Sequence, residues 1–136
     1  MKHIRTTDLR ARRRGFMSME LALTLPILGL VLLALFEFSV LFFARGEVVE
    51  SCRVGARIAS QPGVNEYDVE NEVKRVLSPR LRRYAQVDIR QGQYSGDLIS
   101  VRVRVPMDRA APNLLWPIGY SLKGRELVGA VQLVKE

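Results

Sequence analysis

Few side chains in this 136-residue chain have the type and spacing to do chemistry, and the most informative lie in one short stretch. Residues 14–26 read RGFMSMELALTLP. Gly15 carries no side chain, so the backbone there can extend into a protease cleft at little steric cost. Cleavage after it would leave an α-amine on Phe16, four residues before Glu20 and therefore one helical turn away. An ammonium and a carboxylate that both approach lipid are each costly alone, and pairing them offsets both costs. The plain alternative is that Glu20 is an interfacial carboxylate in contact with water. Glu37 is a second isolated acid, the one formal charge in residues 21–44, with no basic residue within a helical turn. Either it is protonated, or it snorkels outward, or another subunit supplies a donor, and a subunit contact is the expectation adopted here.

Other chemistry is sparse. The single histidine, His3, precedes the apolar run, and the single cysteine, Cys52, permits no intrachain disulfide or cysteine-rich metal site. Cys52 reads as a small helix-packing residue. Glu66, Asp68, Glu70 and Glu72 suit the start of a solvated helix, where the helix dipole favours acids, better than a calcium site. Phosphate loops, nucleophile motifs and zinc-protease motifs do not occur. The expectation is a non-enzyme with no cofactor, no metal and no small-molecule substrate.

The elements that must position these residues begin with the apolar run itself. Residues 21–44 as a helix reach about 36 Å, enough to cross a ~30 Å hydrocarbon core with some tilt. Six of the 21 basic residues and one of the 14 acidic ones fall in residues 1–15, so +5 of the +7 net charge lies directly before this run. The positive-inside rule then keeps the N-terminus cytoplasmic and puts the C-terminal part outside. The same division argues against nucleic acid, since the remaining basic residues lack interleaved aromatics or a recognisable module. The run is too long for the apolar core of a secretory signal peptide, and no small-x-small cleavage site follows it; a non-cleaved signal anchor stays open.

Arg13-Arg14-Gly15-Phe16-Met17-Ser18-Met19-Glu20 resembles the processing site of type IV prepilins, in which a basic leader ends in Gly and Glu is the fifth mature residue. Further residues are similar to the TadE family of minor pseudopilins from tight-adherence (Tad/Flp) pili. They are Pro26, Glu37-Phe38, Leu41-Phe42-Phe43-Ala44-Arg45, Arg53 and Gly55-Ala56-Arg57, so the resemblance spans residues 12–60. It implies cleavage between Gly15 and Phe16 by a prepilin peptidase on the cytoplasmic side. It implies other pilins and the inner-membrane assembly platform as partners, and Glu20 pairing with a neighbouring subunit's α-amine in the assembly. The expected location is the bacterial inner membrane, single-pass, with a periplasmic head. A pseudopilin of a type II secretion or DNA-uptake machine, or an uncleaved membrane-anchored adaptor or sensor, are the alternatives.

The expected architecture is α+β: a leader at 1–15, one long helix at 16–60 with its lower part in lipid, and a small pilin-like head at 64–136. Pro26 should kink or loosen the helix, and Gly29, Gly46 and Gly55 allow close approach or add flexibility. Val48, Val49, Cys52, Gly55, Ala56 and Ala59 form a stripe that packs on the head. Gln61-Pro62-Gly63 ends the helix. Asn65 can cap a short helix to about Leu77, with Val69, Val73, Val76 and Leu77 on one face. Val87 and Ile89 alternate with polar residues; Ile99, Val101, Val103 and Val105 alternate strictly; residues 125–135 form a last strand. Strand order is not deducible, and the apolar loop at 110–118, with Leu114, Leu115 and Trp116, reads as head core in preference to a membrane- or partner-facing patch.

Overall fold

The computed structural model describes residues 8–135, with side-chain surroundings from Phe16 onward. His3 and the charges of residues 1–7 lie outside the described residues.

The apolar run and the stripe after it form one continuous helix, α1 (Asp8–Ala59). Its start lies upstream of the expected residue 16, so the Gly15–Phe16 bond is inside the helix. Pro26 stands within α1 without ending it, as tolerated where neighbouring groups or lipid-side adjustments re-satisfy the freed carbonyl. Among the described residues α1 is the one helix long and apolar enough to cross a membrane, and it reads as a single-pass anchor. Nearly every side chain from Phe16 to Phe36 is exposed, and an all-round apolar surface of this length suits lipid rather than a protein core.

Above Phe36 the helix changes partner. Leu41, Ala44, Val48, Ser51, Cys52, Gly55, Ala56 and Ala59 are buried at spacings of three and four, the signature of one helix face. Most of them are small, which lets the head approach closely. The buried face starts at Glu37, inside the stretch assigned from sequence to the membrane.

Ser60 closes the last turn through its amide to the Ala56 carbonyl, 3.1 Å, and Gly63 (φ +81°) turns the chain back. The second helix, α2 (Glu66–Val76), buries Val69 and Val73 against α1, and Asn65 is its N-cap without a side-chain cap bond. Val76, expected on the same face, is only half-buried, whereas Leu77 is in the core. Pro79 does not simply break the helix; it opens a short one, α3 (Pro79–Arg82), at a position where proline's missing donor costs nothing.

Three strands complete the head: β1 (Gln86–Arg90), β2 (Leu98–Pro106) and β3 (Glu126–Val134). They form an antiparallel meander in the order β1-β2-β3, with Val103 opposite both Val87 and Gly129. Ile99, Val101, Val103 and Val105 are fully buried beneath α1, while Arg102 and Arg104 fall on the other face, as their alternation requires. Between β2 and β3 the chain makes a short helix, α4 (Met107–Ala110), and a 3₁₀ turn, Trp116–Ile118, ended by Gly119 at φ 89°. The expected α+β class, with a long helix and a small antiparallel sheet, is the observed one.

Two glycines set the distance between layers. A Cβ on Gly55 would lie 2.4 Å from Val73 Cγ2 and 3.2 Å from Val101 Cγ1; one on Gly129 would lie 2.9 Å from Val48 Cγ1. A Cβ on Gly46 meets nothing within 4 Å, so of the helix glycines noted from sequence only Gly55 marks a close approach. Gly55→Val should therefore force α2 off α1 and cost about 1–3 kcal/mol or more, lowering the melting temperature by roughly 4–8 °C per kcal/mol. Gly46→Ala should hold or raise it, because alanine is the better helix former. Thermal melts of the detergent-solubilised chain, followed by circular dichroism, test this; equal melting of Gly55→Val and the parent would refute the close-packing account.

Candidate functional site

Two places in the fold hold the residues singled out from sequence, and both lie on α1. The first is the junction at its N-terminal end. Gly15 is helical, and a glycine inside a helix weakens it by about 1 kcal/mol relative to alanine. That makes this turn easier to unwind into the extended form a protease requires. Phe16 is 73 % exposed, and Glu20 follows on the exposed surface about 6 Å further along the axis. Thr24 donates its hydroxyl proton to the Glu20 carbonyl, 3.0 Å away, a bond that engages the main chain of Glu20 and not its carboxylate. Nothing from the head reaches this end: Phe16, Met17, Met19, Leu21 and Leu23 are all well exposed.

The second place is Glu37. It is fully buried, at 0 % exposure, although it interrupts an apolar helix. Its Oε2 accepts the backbone N–H of Leu114 at 2.6 Å and of Leu115 at 3.1 Å. Leu115 is itself buried, and Ala110 and Ala111 pack in the same core. Phe38, next in sequence, meets the Tyr120 ring at 5.9 Å between centroids. The loop between β2 and β3 is thus fastened to α1 by one carboxylate and one aromatic pair. Buried carboxylates are retained where amide donors replace the lost water. The other oxygen, Oε1, is the one buried side-chain polar atom without a partner among the described residues.

A donor was expected from another subunit because no basic side chain lies nearby in sequence; within the chain, Oε2 is met by main-chain amides 77 and 78 residues away. Backbone amides leave no trace in residue type. The weak signal that could have pointed to them is the pair Pro112 and Pro117 around Asn113-Leu114-Leu115, which marks a tight turn with inward-facing amides. The loop is also divided in a way its composition did not indicate. Leu115 belongs to the core, whereas Trp116 is 67 % and Ile118 58 % exposed.

The remaining candidates resolve simply. Cys52 is buried at the centre of the α1 face, and burial pushes its thiol above the usual cysteine range, partly opposed by hydrogen bonds with Val103 and Ser51. That is the environment of an inert packing thiol. Glu70 and Glu72 pair along their own helix with Lys74 at 2.6 Å and Arg75 at 3.3 Å.

With the geometry in place, comparison with known families is informative. The family model described as TadE-like protein matches residues 15–57, running from the Gly15 junction, through Glu20 and Glu37, to the small-residue face under the head. The resemblance read over residues 12–60 thus holds for residues 15–57. No curated protein and no solved structure matches the chain.

Proposed function

We propose, from this TadE-like segment, that the protein is a minor pseudopilin that a prepilin peptidase cuts between Gly15 and Phe16 and that then joins the assembly of a Tad/Flp-type adhesion pilus. The observation that carries the reading is the arrangement of α1. One helix presents a glycine junction and Glu20 at its bare end, an all-round apolar stretch beyond, and a small folded head on the part from Glu37 to Ala59. Such a molecule can be held in a bilayer, trimmed on the basic side and packed by its bare helix against other helices. Its role is structural: it is the substrate of an enzyme rather than an enzyme. The partners proposed are the peptidase, other pilins and pseudopilins, and the inner-membrane assembly platform. A pseudopilin of a type II secretion or DNA-uptake machine shares the processing step and differs in partners, so crosslinking to neighbouring pilins separates the two.

Intact-mass measurement on protein extracted from membranes of cells with an active prepilin peptidase is the direct test. The expected species begins at Phe16 and lacks residues 1–15; a population still carrying Met1 through Gly15 would refute processing and favour the uncleaved anchor. Topology follows from charge. The basic cluster precedes α1's apolar stretch, and Arg45, Arg53 and Arg57 beyond it are interspersed with Glu47 and Glu50, so the head lies outside the cytoplasm. Protease added to spheroplasts should digest the chain beyond residue 61, and protection until the membrane is broken would reverse the orientation.

A further inference from the structure

We propose that the loop between α4 and β3 is a second membrane-contact element, whose 3₁₀ turn Trp116–Ile118 enters the lipid headgroup region on the head side of the bilayer. This rests on the reading of α1 as a single-pass anchor.

The argument begins with height along the helix. The Leu114 and Leu115 amides are bonded to Glu37, and Tyr120 is packed on Phe38, so the loop is fixed at the level of residues 37–38. On the flanks of its head-facing side, α1 stays exposed and apolar beyond that level: Phe42 is 72 % and Phe43 77 % exposed, and the first charge is Arg45. Phe43 lies about 9 Å further along the axis than Glu37. Lipid that covers Phe42 and Phe43 therefore rises past the height at which the loop is docked. The apolar length from residue 16 to residue 44 is about 43 Å, the thickness of a bilayer with its interfacial layers rather than of the hydrocarbon alone.

The chemistry of the loop agrees with that placement. Residues 110–120 carry no formal charge, yet Trp116, Pro117 and Ile118 are exposed instead of joining Leu115 in the core. Tryptophan is the side chain most enriched at headgroup level, where an apolar body and a polar N–H can both be satisfied. Cations flank the loop. The Arg125 guanidinium lies 5.0 Å over the Tyr120 ring and donates to its hydroxyl at 3.2 Å, and Arg45 and Arg125 border one groove with Phe38, Phe42 and Tyr120. Guanidiniums above an apolar tip match lipid phosphates above acyl chains. A second protein could cover the same residues, but the docking of the loop below the level of α1's exposed Phe42 and Phe43 favours lipid.

Trp116 is the one tryptophan of the chain, so its emission reports the loop directly. The full chain is reconstituted into vesicles of phosphatidylethanolamine and phosphatidylglycerol, with and without phosphatidylcholine brominated near the headgroup end of its acyl chains. The expected result is that the protein floats with the vesicles and Trp116 emission is blue-shifted and resists aqueous acrylamide. The brominated lipid should remove most of that emission. In the double variant Trp116→Phe, Tyr94→Trp the reporter moves to the exposed β1–β2 turn, at the opposite end of the sheet, and should keep its emission in brominated vesicles. Flotation with Trp116 open to acrylamide and indifferent to bromine overturns the loop's role and leaves the anchor standing. Failure to float overturns the anchor and the loop's role together. Shielding that ignores bromine and disappears on dilution of protein in lipid overturns it in favour of a second copy.

Discussion

A chain carrying Glu37→Ala should exchange the amide proton of Leu115 at least about tenfold faster than the parent, because an amide left buried without an acceptor costs about 1–3 kcal/mol. The substitution removes the one acceptor of the Leu115 amide among the described residues, whereas the Leu114 amide keeps the Pro112 carbonyl at 3.0 Å. Water cannot readily replace the lost acceptor at a site where Glu37 is fully buried, so the loop has to detach or carry an orphaned amide at Leu115. Glu37→Gln should fall between the two, since its carbonyl can still accept while its amide nitrogen occupies the place of Oε1, which has no partner to offer it. Hydrogen–deuterium exchange resolved on the peptide covering residues 110–120, in detergent micelles, reads the effect locally; exchange across α2 serves as the control for general loosening. If the alanine variant protects this peptide as well as the parent does, the carboxylate is not what fastens the loop.

That latch also marks where sequence reasoning stops. Elements governed by local pattern were legible: the strict alternation from Leu98 to Val105 became β2, with its four apolar residues fully buried. The three- and four-residue spacing after Arg45 became the face on which the head packs. Gln61-Pro62-Gly63 ended α1 because glycine and proline act on the backbone they occupy. What escaped was set by contacts far apart in the chain. Leu41 and Ala44 are as apolar as the residues below them, and nothing in their identity says that one side meets the head while Phe42 and Phe43 stay bare. Strand order depends on how the meander closes against α1, and the split of the 110–118 loop depends on Glu37, whose partners are main-chain atoms. The family resemblance helped where its motif lies, in residues 15–57, and the head beyond had to be read from alternation alone.

Glu20→Gln should leave the protein inserted and trimmed but absent from pili. Insertion should survive because replacing a carboxylate beside an apolar helix with a neutral amide of the same shape lowers the cost of transfer into lipid. Trimming should survive because Gly15 and Phe16 are untouched and the carboxylate lies a full helical turn from the cut. What the substitution removes is the negative charge available to the α-amine that the proposed trimming would create on Phe16, either on the same helix or on a neighbour's. During assembly that amine enters an environment of exposed apolar side chains, among them Met19 at 76 % and Leu23 at 73 % exposure, where an uncompensated ammonium is expensive. A glutamine can accept a hydrogen bond from it but cannot neutralise it. The two readings of Glu20 therefore diverge on one measurement. An interfacial carboxylate in contact with water predicts normal incorporation, whereas a counter-charge predicts near-complete loss. Surface pilus yield, together with crosslinking of the substituted protein to neighbouring pilins at normal expression, decides between them; full yield with full crosslinking would return Glu20 to the role of a solvated residue at the end of a membrane helix.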